Sequence, residues 1–175
     1  YLKKINKDNF NERYIKAILE KLDKNKTYFT KEEVEFFLSS SMQNDSDYFD
    51  IELAYNLINL YYKKLIAFSD YQIYLLDKFE FDFSKEEYLD IFYEDNQWIS
   101  SDKSLKELWR LQTKNDLLVA NMSDSASSNP HEDLKKRYAN RVRRINQQKE
   151  EDIFSLAINI LTNQFDPHSS YLSPR

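Results

Sequence analysis

The sequence predicts an all-α fold, and two observations support that prediction. None of the 175 residues is glycine, although glycine makes up about 7% of an average chain. Tight hairpins need positive φ angles, which glycine adopts most easily, so the usual residue of such turns is absent. Apolar residues recur instead three or four positions apart, which is the spacing of one helix face. We therefore expect an irregular bundle of several helices joined by short loops.

The first half of the chain contains three predicted helices. Residues 8–23 carry an apolar stripe with four-residue spacing: Phe10, Tyr14, Ile18 and Leu22. Thr30 and Glu33 form a capping box, which predicts a short helix followed by a polar loop at 39–47. Residues 50–79 contain neither proline nor glycine and keep a helical period. They predict one helix of about 45 Å.

The second half predicts four more helical segments. The segment 84–87, Ser-Lys-Glu-Glu, repeats the capping-box pattern, so a short helix is expected to begin there. Apolar periodicity predicts a helix at 101–122 and two further helices at 131–145 and 150–165. The pair Asp166-Pro167 is expected to stop the last of them.

The composition excludes several functional classes. Without glycine there is no Walker loop and no glycine-rich dinucleotide turn, and without cysteine there is no disulfide or thiolate chemistry. Charges interrupt every longer apolar stretch, so no membrane span is predicted. A net charge of −5 gives no general argument for nucleic-acid binding. No basic start precedes an apolar run, so we expect any signal peptide to have been removed or to lie outside the sequence.

The end of the chain holds the residue types of a serine-hydrolase triad, namely Asp166, His168, Ser169 and Ser170. A triad requires the base to stack between the nucleophile and the carboxylate, and neighbours in one short extended stretch point in diverging directions. No glycine is available to shape an oxyanion turn. We expect these side chains to bond to the local backbone and organise the exit of the chain from the last helix.

Residues 23–34 imitate a calcium-binding loop. Asp23, Asn25 and Thr27 stand at loop positions 1, 3 and 5. Position 6 requires glycine and holds Tyr28, and position 12 requires a bidentate glutamate and holds Val34. The segment is therefore interpreted as a turn that leads into a capped helix.

One predicted helix is strongly basic. Its cations surround Tyr138 and are Lys135, Lys136, Arg137, Arg141, Arg143 and Arg144. A nucleic-acid-binding helix can have this composition. The whole chain is acidic and no second basic segment supports that interpretation, so we expect the arginines to pair with the acidic stretch at 77–95 or to face solvent.

The last 42 residues, "LKKRYANRVRRINQQKEEDIFSLAINILTNQFDPHSSYLSPR", closely resemble the segment before the PDZ domain in the tail-specific proteases. These are the C-terminal processing peptidases of bacterial periplasms. The most specific match is "DPHSSYLSPR", and the upstream segments "LKELWRLQTKNDLL" and "LDKNKTYF" also resemble the family's amino-terminal helical domain. The resemblance covers essentially the whole chain and is looser between about 40 and 100.

The resemblance implies a helical domain at 1–165 and a junction at 166–175 that leads, in extended form, toward a PDZ domain outside this chain. The implied junction residues are Asp166, Pro167, His168, Ser169, Ser170, Tyr171 and Leu172. The family's catalytic serine and lysine lie downstream of the PDZ domain. The Ser125-Ala126-Ser127 triplet resembles the context of the nucleophile but precedes the junction, so no catalytic residue carries over, and no cofactor or metal is implied.

The function implied by the resemblance is that of a non-catalytic platform. The intact protein would be a periplasmic serine endopeptidase that trims or degrades proteins with apolar C-terminal tails. Expected partners are the PDZ and protease domains of the same protein, its substrates and a lipoprotein adaptor, with no nucleic acid. The alternative is an independent helical module that binds an adaptor or substrate. Candidate interface residues are Arg137, Tyr138, Arg143, Arg144 and Trp98, of which Trp98 is either a packed anchor or a contact to the neighbouring domain.

Overall fold

The computed structural model describes residues 9–43, 49–89, 97–122, 129–166 and 168–171, and helices dominate these ranges. Six helices follow one another within them: α1 (Phe10–Leu22), α2 (Lys31–Gln43), α3 (Ile51–Lys78), α4 (Asp102–Met122), α5 (Pro130–Asn146) and α6 (Glu150–Asn163). The same ranges contain no strand, only an isolated bridge between Thr30 and Ile99. The predicted all-α class is confirmed.

The long helix α3 is the centre of the bundle, because it contacts each of the other five helices. Its start is fixed by Asp50, whose side chain accepts a hydrogen bond from the Leu53 N–H at 2.8 Å. Its 28 residues span about 42 Å, as the uninterrupted apolar period at 50–79 predicted. One helix of this length allows two groups of shorter helices to pack along it.

The main core lies where α1, α2 and α6 meet the first half of α3. Its fully buried side chains include Ile18, Leu57 and Ile58. The Tyr14 hydroxyl donates a hydrogen bond of 2.8 Å to the carbonyl of Ala157, which joins α1 to α6 inside this core. Two smaller clusters hold α4 and α5 on the second half of α3; Trp109 belongs to one and Tyr138 to the other. None of the helices in the described ranges is both long enough and apolar enough to cross a membrane.

The capping box at 30–33 is confirmed, but the polar loop predicted to follow at 39 begins later. The Thr30 N–H donates to Glu33 Oε2 at 2.8 Å, and the Glu33 N–H donates to Thr30 Oγ1 at 3.3 Å. Helix α2 continues to Gln43, and within it Ser39 and Ser41 donate their hydroxyls to carbonyls one turn back, which satisfies these polar groups inside the helix. Residues 44–47 of the predicted loop lie outside the described residues.

The prediction of a second capping box is wrong, because no helix begins at 84–87. Ser84 directs both its N–H and its hydroxyl back to Asp82 Oδ1, at 3.0 and 2.6 Å. The Glu87 carboxylate accepts hydrogen bonds from Arg110 and Lys114 of α4 instead of returning to the backbone of Ser84. Residues 79–89 therefore form a non-helical arm that is clamped to α4.

The clamp predicts an acid-sensitive contribution to stability. Hydrogen bonds from Arg110 and then from Lys114 lower the pKa of Glu87 from 4.5 to about 2. Because the folded pKa lies below the ordinary value, the contribution is complete above about pH 4.5 and disappears as the pH falls through about 2. We expect Glu87→Gln to be less stable than the parent at pH 7, with the difference in thermal midpoint closing between pH 4.5 and 2. The control Glu86→Gln changes a neighbouring exposed carboxylate, and a Glu87→Gln difference that stays constant with pH would contradict the clamp.

Candidate functional site

The candidate site is the exit segment, residues 164–171, which follows α6. Its first part is a compact turn around Asp166. The His168 N–H donates to Asp166 Oδ1 at 3.0 Å, and the Ser169 hydroxyl donates to Asp166 Oδ2 at 3.1 Å. The Ser169 N–H also reaches the Asp166 carbonyl at 3.0 Å. The side chain of Asp166 therefore shapes the backbone just after the helix.

This turn has the wrong hydrogen bonds for a catalytic triad. In a triad the carboxylate holds the imidazole, and the imidazole accepts the proton of the nucleophile. Here the Asp166 carboxylate receives the backbone N–H of His168 and the hydroxyl of Ser169. His168 and Ser170 are exposed. The structural interpretation of these residues fits the geometry, and Pro167 and Leu172 of the predicted junction lie outside the described residues.

The second part of the exit segment is pinned to α6 by Asn159. Its Oδ1 accepts the Tyr171 N–H at 2.7 Å, and its Nδ2 donates to the Tyr171 carbonyl at 3.4 Å. Nδ2 also donates to the Ser155 carbonyl one turn back at 2.8 Å, which fixes the orientation of the amide. A side-chain amide that bonds both polar groups of one residue acts like a neighbouring strand. Tyr171 is thus held in one direction relative to α6.

Aromatic contacts complete the anchoring of this end of the bundle. The Tyr171 ring meets Phe154 of α6 edge to face, with 5.9 Å between centroids, and Phe165 stacks on Phe10 of α1 at 5.4 Å. Phe154 and Phe165 are nevertheless 43% and 44% exposed. An apolar surface therefore remains open beside the exit segment.

The loop between α1 and α2 is organised by Asp23, which is only 1% exposed. Its carboxylate accepts the N–H groups of Thr27, Tyr28 and Phe29 at 2.6, 3.1 and 3.1 Å. Burial raises the pKa of this carboxyl and the three backbone hydrogen bonds oppose that rise. Since the backbone already occupies the carboxylate, the loop is a structural turn. Across the described ranges no cluster of histidine and acidic residues is suited to hold a metal ion.

Trp98, one of the candidate interface residues, packs at the edge of the main core and is partly buried. The Lys26 ammonium lies 5.1 Å from the centre of its ring. The neighbouring Ile99 carbonyl accepts the Lys31 N–H at 2.8 Å, which holds this segment against the start of α2. The placement fits a packed anchor, as one of the two interpretations of Trp98 expected.

The basic helix α5 has an inner and an outer face. On the inner face, Tyr138 is fully buried and its hydroxyl donates to Asp116 Oδ2 at 2.6 Å, so its ring holds α5 in the bundle and lies away from the surface. Arg141 lies 5.6 and 5.3 Å from the ring centres of Phe68 and Tyr138. It also donates to Ser69 and Gln72 of α3.

The outer face of α5 forms an open groove with mostly basic walls. Its residues stand three or four positions apart on one side of the helix, and we call them the basic stripe: Asp133, Lys136, Arg137, Asn140, Arg143 and Arg144. All six are exposed. Arg137 pairs with Asp116 at 3.0 Å. Next to the stripe, Lys135 pairs with Asp77 at 2.6 Å, so within the described residues a lysine of α5, and not one of the arginines for which it was expected, pairs with the acidic stretch at 77–95.

In the described residues, five helices pack around α3, and the exit segment is bonded to α6 through Asn159 and Tyr171. The model of the family "Tail specific protease N-terminal domain" matches residues 1–175. The chain therefore belongs to this family of amino-terminal domains. It is also 27% identical to the tail-specific protease of Haemophilus influenzae over 171 aligned residues. This alignment covers 96% of the chain. The match covers 24% of that protein, so the chain spans about a quarter of the length of this curated relative.

Sequence reasoning located the exit segment but missed Asn159. The residue stands between Ile158 and Ile160, within the apolar stretch of α6. A polar residue in such a run needs a hydrogen-bond partner when it is partly buried, which is the signal that could have identified it. Tyr171, the partner that anchors the exit segment, is 12 residues away from Asn159. Only the course of the exit segment brings the two residues together.

Proposed function

We propose that this chain is a non-catalytic helical platform, the amino-terminal part of a periplasmic C-terminal processing serine protease. The intact protein trims or degrades proteins with apolar C-terminal tails. A PDZ domain that binds the tail and a Ser/Lys dyad that cleaves it are expected after the exit segment. The proposal extends the family membership of the chain to the activity of a longer protein.

The observation that carries the proposal is the fixation of Tyr171 by Asn159. A platform must transmit the position of its helices to the domain that follows, and a segment bonded at both backbone groups does so. A freely jointed tail would not need an amide clamp with a second bond to Ser155. The exposed rings of Phe154 and Phe165 next to the clamp supply apolar surface on which a following domain can pack.

The polar side chains of two segments that resemble reactive or ligand-binding motifs are engaged by their own backbone. The Asp166 turn satisfies its own backbone, and Asp23 is occupied by three N–H groups. The Ser125-Ala126-Ser127 triplet lies outside the described residues. The resemblance implies that the family's nucleophile lies downstream of the junction, whereas this triplet precedes the junction.

The test is a cleavage assay on a reporter protein with an apolar C-terminal tail. Three samples are compared: this chain alone, a PDZ–protease portion alone, and the two joined in one protein. The platform role predicts no cleavage by the chain alone and a changed rate when it is joined to the protease. If joining leaves the rate unchanged, the independent adaptor- or substrate-binding module becomes the better description. Cleavage by the chain alone would refute the non-catalytic role.

His168 offers a separate test of the junction. Its side chain is exposed, and its backbone N–H, which every substitution except proline retains, makes the bond to Asp166. We therefore expect His168→Ala to leave the far-ultraviolet circular dichroism of the chain unchanged and to weaken the effect of the platform on the rate of reporter cleavage. A large loss of helical signal in the variant would contradict this prediction.

A further inference from the structure

We propose that the basic stripe of α5 is a docking surface for an acidic segment of another protein, in its simplest form a helix with carboxylates on one face. The inference concerns a surface distant in sequence from the exit segment. It does not depend on the platform role, since it requires only that the stripe is accessible. Its readout is binding, so its failure and that of the proposed function are distinguishable.

The stripe carries positive charge that no ion pair within the described residues neutralises. Lys135 and Arg137 pair with Asp77 and Asp116. Lys136, Arg143 and Arg144 form no ion pair with any acidic residue in the described parts of the chain. This concentration of unpaired cations occurs in a chain whose net charge is −5. The charge of these three side chains is therefore opposite in sign to the net charge of the chain.

Helix electrostatics account for only part of this pattern. Arg143 and Arg144 stand in the last turn of α5, where positive side chains stabilise the negative end of a helix. Lys136 lies two turns earlier, outside the reach of that effect. All three nevertheless project along the same groove together with Asn140. The common direction of these side chains is what a partner surface would require.

The length of the stripe and the geometry of its donors fit an acidic helix. From Lys136 to Arg144 the stripe is about 12 Å long, which matches roughly two turns of a partner helix. The planar guanidiniums of Arg143 and Arg144 present forked donors that fit carboxylates in a bidentate manner. The Asn140 amide, which lies between Lys136 and Arg143 on the stripe, can donate to a carboxylate or to a backbone carbonyl. An acidic helix with carboxylates three and four residues apart would meet these groups in register.

The exposed side chains of α5 do not suit two other acidic occupants, single-stranded nucleic acid and an anionic membrane. Single-stranded nucleic acid is bound with the help of exposed aromatic rings, whereas Tyr138, the aromatic residue of α5, is completely buried. A helix that binds an anionic membrane inserts exposed apolar side chains. The large exposed apolar residues of the described chain include none on α5. A protein segment needs neither feature, because ion pairs and hydrogen bonds along the stripe are enough for a salt-sensitive contact.

The test uses the 175-residue chain and a synthetic alanine-based helical peptide of about 20 residues, long enough to be helical alone. The peptide carries glutamates three and four positions apart, and a second peptide has glutamine in their place. Binding is measured by fluorescence anisotropy at about 50 mM and about 300 mM salt. The variant Lys136→Gln, Arg143→Gln, Arg144→Gln removes the unpaired cations. The matched control Lys63→Gln, Lys103→Gln, Lys106→Gln changes the net charge equally at exposed lysines of α3 and α4.

We expect the glutamate peptide to bind the parent chain and to bind the stripe variant about tenfold more weakly, since each exposed ion pair contributes up to severalfold. The control should bind like the parent, and high salt should remove the difference. The circular dichroism of both variants should match the parent, because all six positions are exposed. Equal weakening in both variants, or no binding at low salt, would overturn the proposal. It would also be overturned if a single-stranded oligothymidine or a phosphatidylserine vesicle bound the stripe more tightly than the peptide does.

Discussion

Replacing Asp23 by alanine is expected to lower the free energy of unfolding by about 3–5 kcal/mol, because two buried N–H groups and one partly buried N–H group lose their acceptor together. The carboxylate is almost completely shielded from solvent and bonds Thr27, Tyr28 and Phe29. Without it, water cannot reach these donors unless the loop opens. Opening would also break the 2.7 Å hydrogen bond from Trp109 Nε1 to the Thr27 carbonyl, which ties α4 to the loop.

The measurement is equilibrium unfolding in urea, followed by circular dichroism. Asp23→Asn should fall between the parent and Asp23→Ala, because an amide oxygen can replace Oδ2 toward Tyr28 and Phe29 while its NH₂ faces the Thr27 donor. Lys24→Ala, a change at the adjacent exposed position, is the control and should stay within about 0.5 kcal/mol of the parent. A loss below about 1 kcal/mol for Asp23→Ala would mean that the loop does not depend on this carboxylate.

The role of Asp23 shows what a local pattern can and cannot predict. The spacing of Asp23, Asn25 and Thr27 resembles a calcium loop, and the failures at Tyr28 and Val34 were enough to reject it. The actual use of the carboxylate, as a cap for three backbone groups, follows from burial by α4 and by the core. Such burial depends on contacts with residues more than 80 positions away and leaves no periodic signal in the sequence.

The two capping-box patterns also show that a local pattern can be overridden by contacts with another helix. The segments 30–33 and 84–87 both place glutamate three residues after a hydroxyl residue, but only the first begins a helix. In the second segment, Glu87 accepts charge-assisted hydrogen bonds from Arg110 and Lys114 of α4. These bonds replace the capping bond to the backbone of Ser84. The apolar periods of α1 and α3 to α6 were predictable because each repeats along its own helix. The arm at 79–89 was not, since its partners lie on another element.

The resemblance to a family located the exit segment in the sequence. It did not identify the Asn159 amide, which holds that segment. The resemblance rests on the letters at 166–175, whereas the clamp comes from Asn159 in the preceding helix. Asp166, His168 and Ser169 form their turn among themselves, as their residue types predicted. The direction of the chain beyond that turn is set by a side chain that the local sequence does not single out.

Asn159→Ala is therefore expected to release the exit segment while leaving the bundle intact. The change removes both hydrogen bonds to Tyr171, and alanine favours the helical conformation of α6. Two hydrogen bonds of ordinary strength correspond to an increase of about tenfold to hundredfold in the exchange rate of the Tyr171 amide hydrogen. Hydrogen exchange measured by NMR tests this directly in the 175-residue chain.

The matched control is Asn163→Ala, which removes an exposed asparagine one turn later on the same helix. It should leave the exchange of Tyr171 unchanged. If the platform acts through the clamp, Asn159→Ala should also reduce the effect of the platform on reporter cleavage in the joined protein, and Asn163→Ala should not. Unchanged protection of Tyr171 in Asn159→Ala would show that the Phe154 contact alone holds the segment. Faster exchange of the Tyr171 amide in Asn159→Ala, with unchanged reporter cleavage, would separate the two effects of the clamp. The clamp would then order the exit segment without coupling it to the protease.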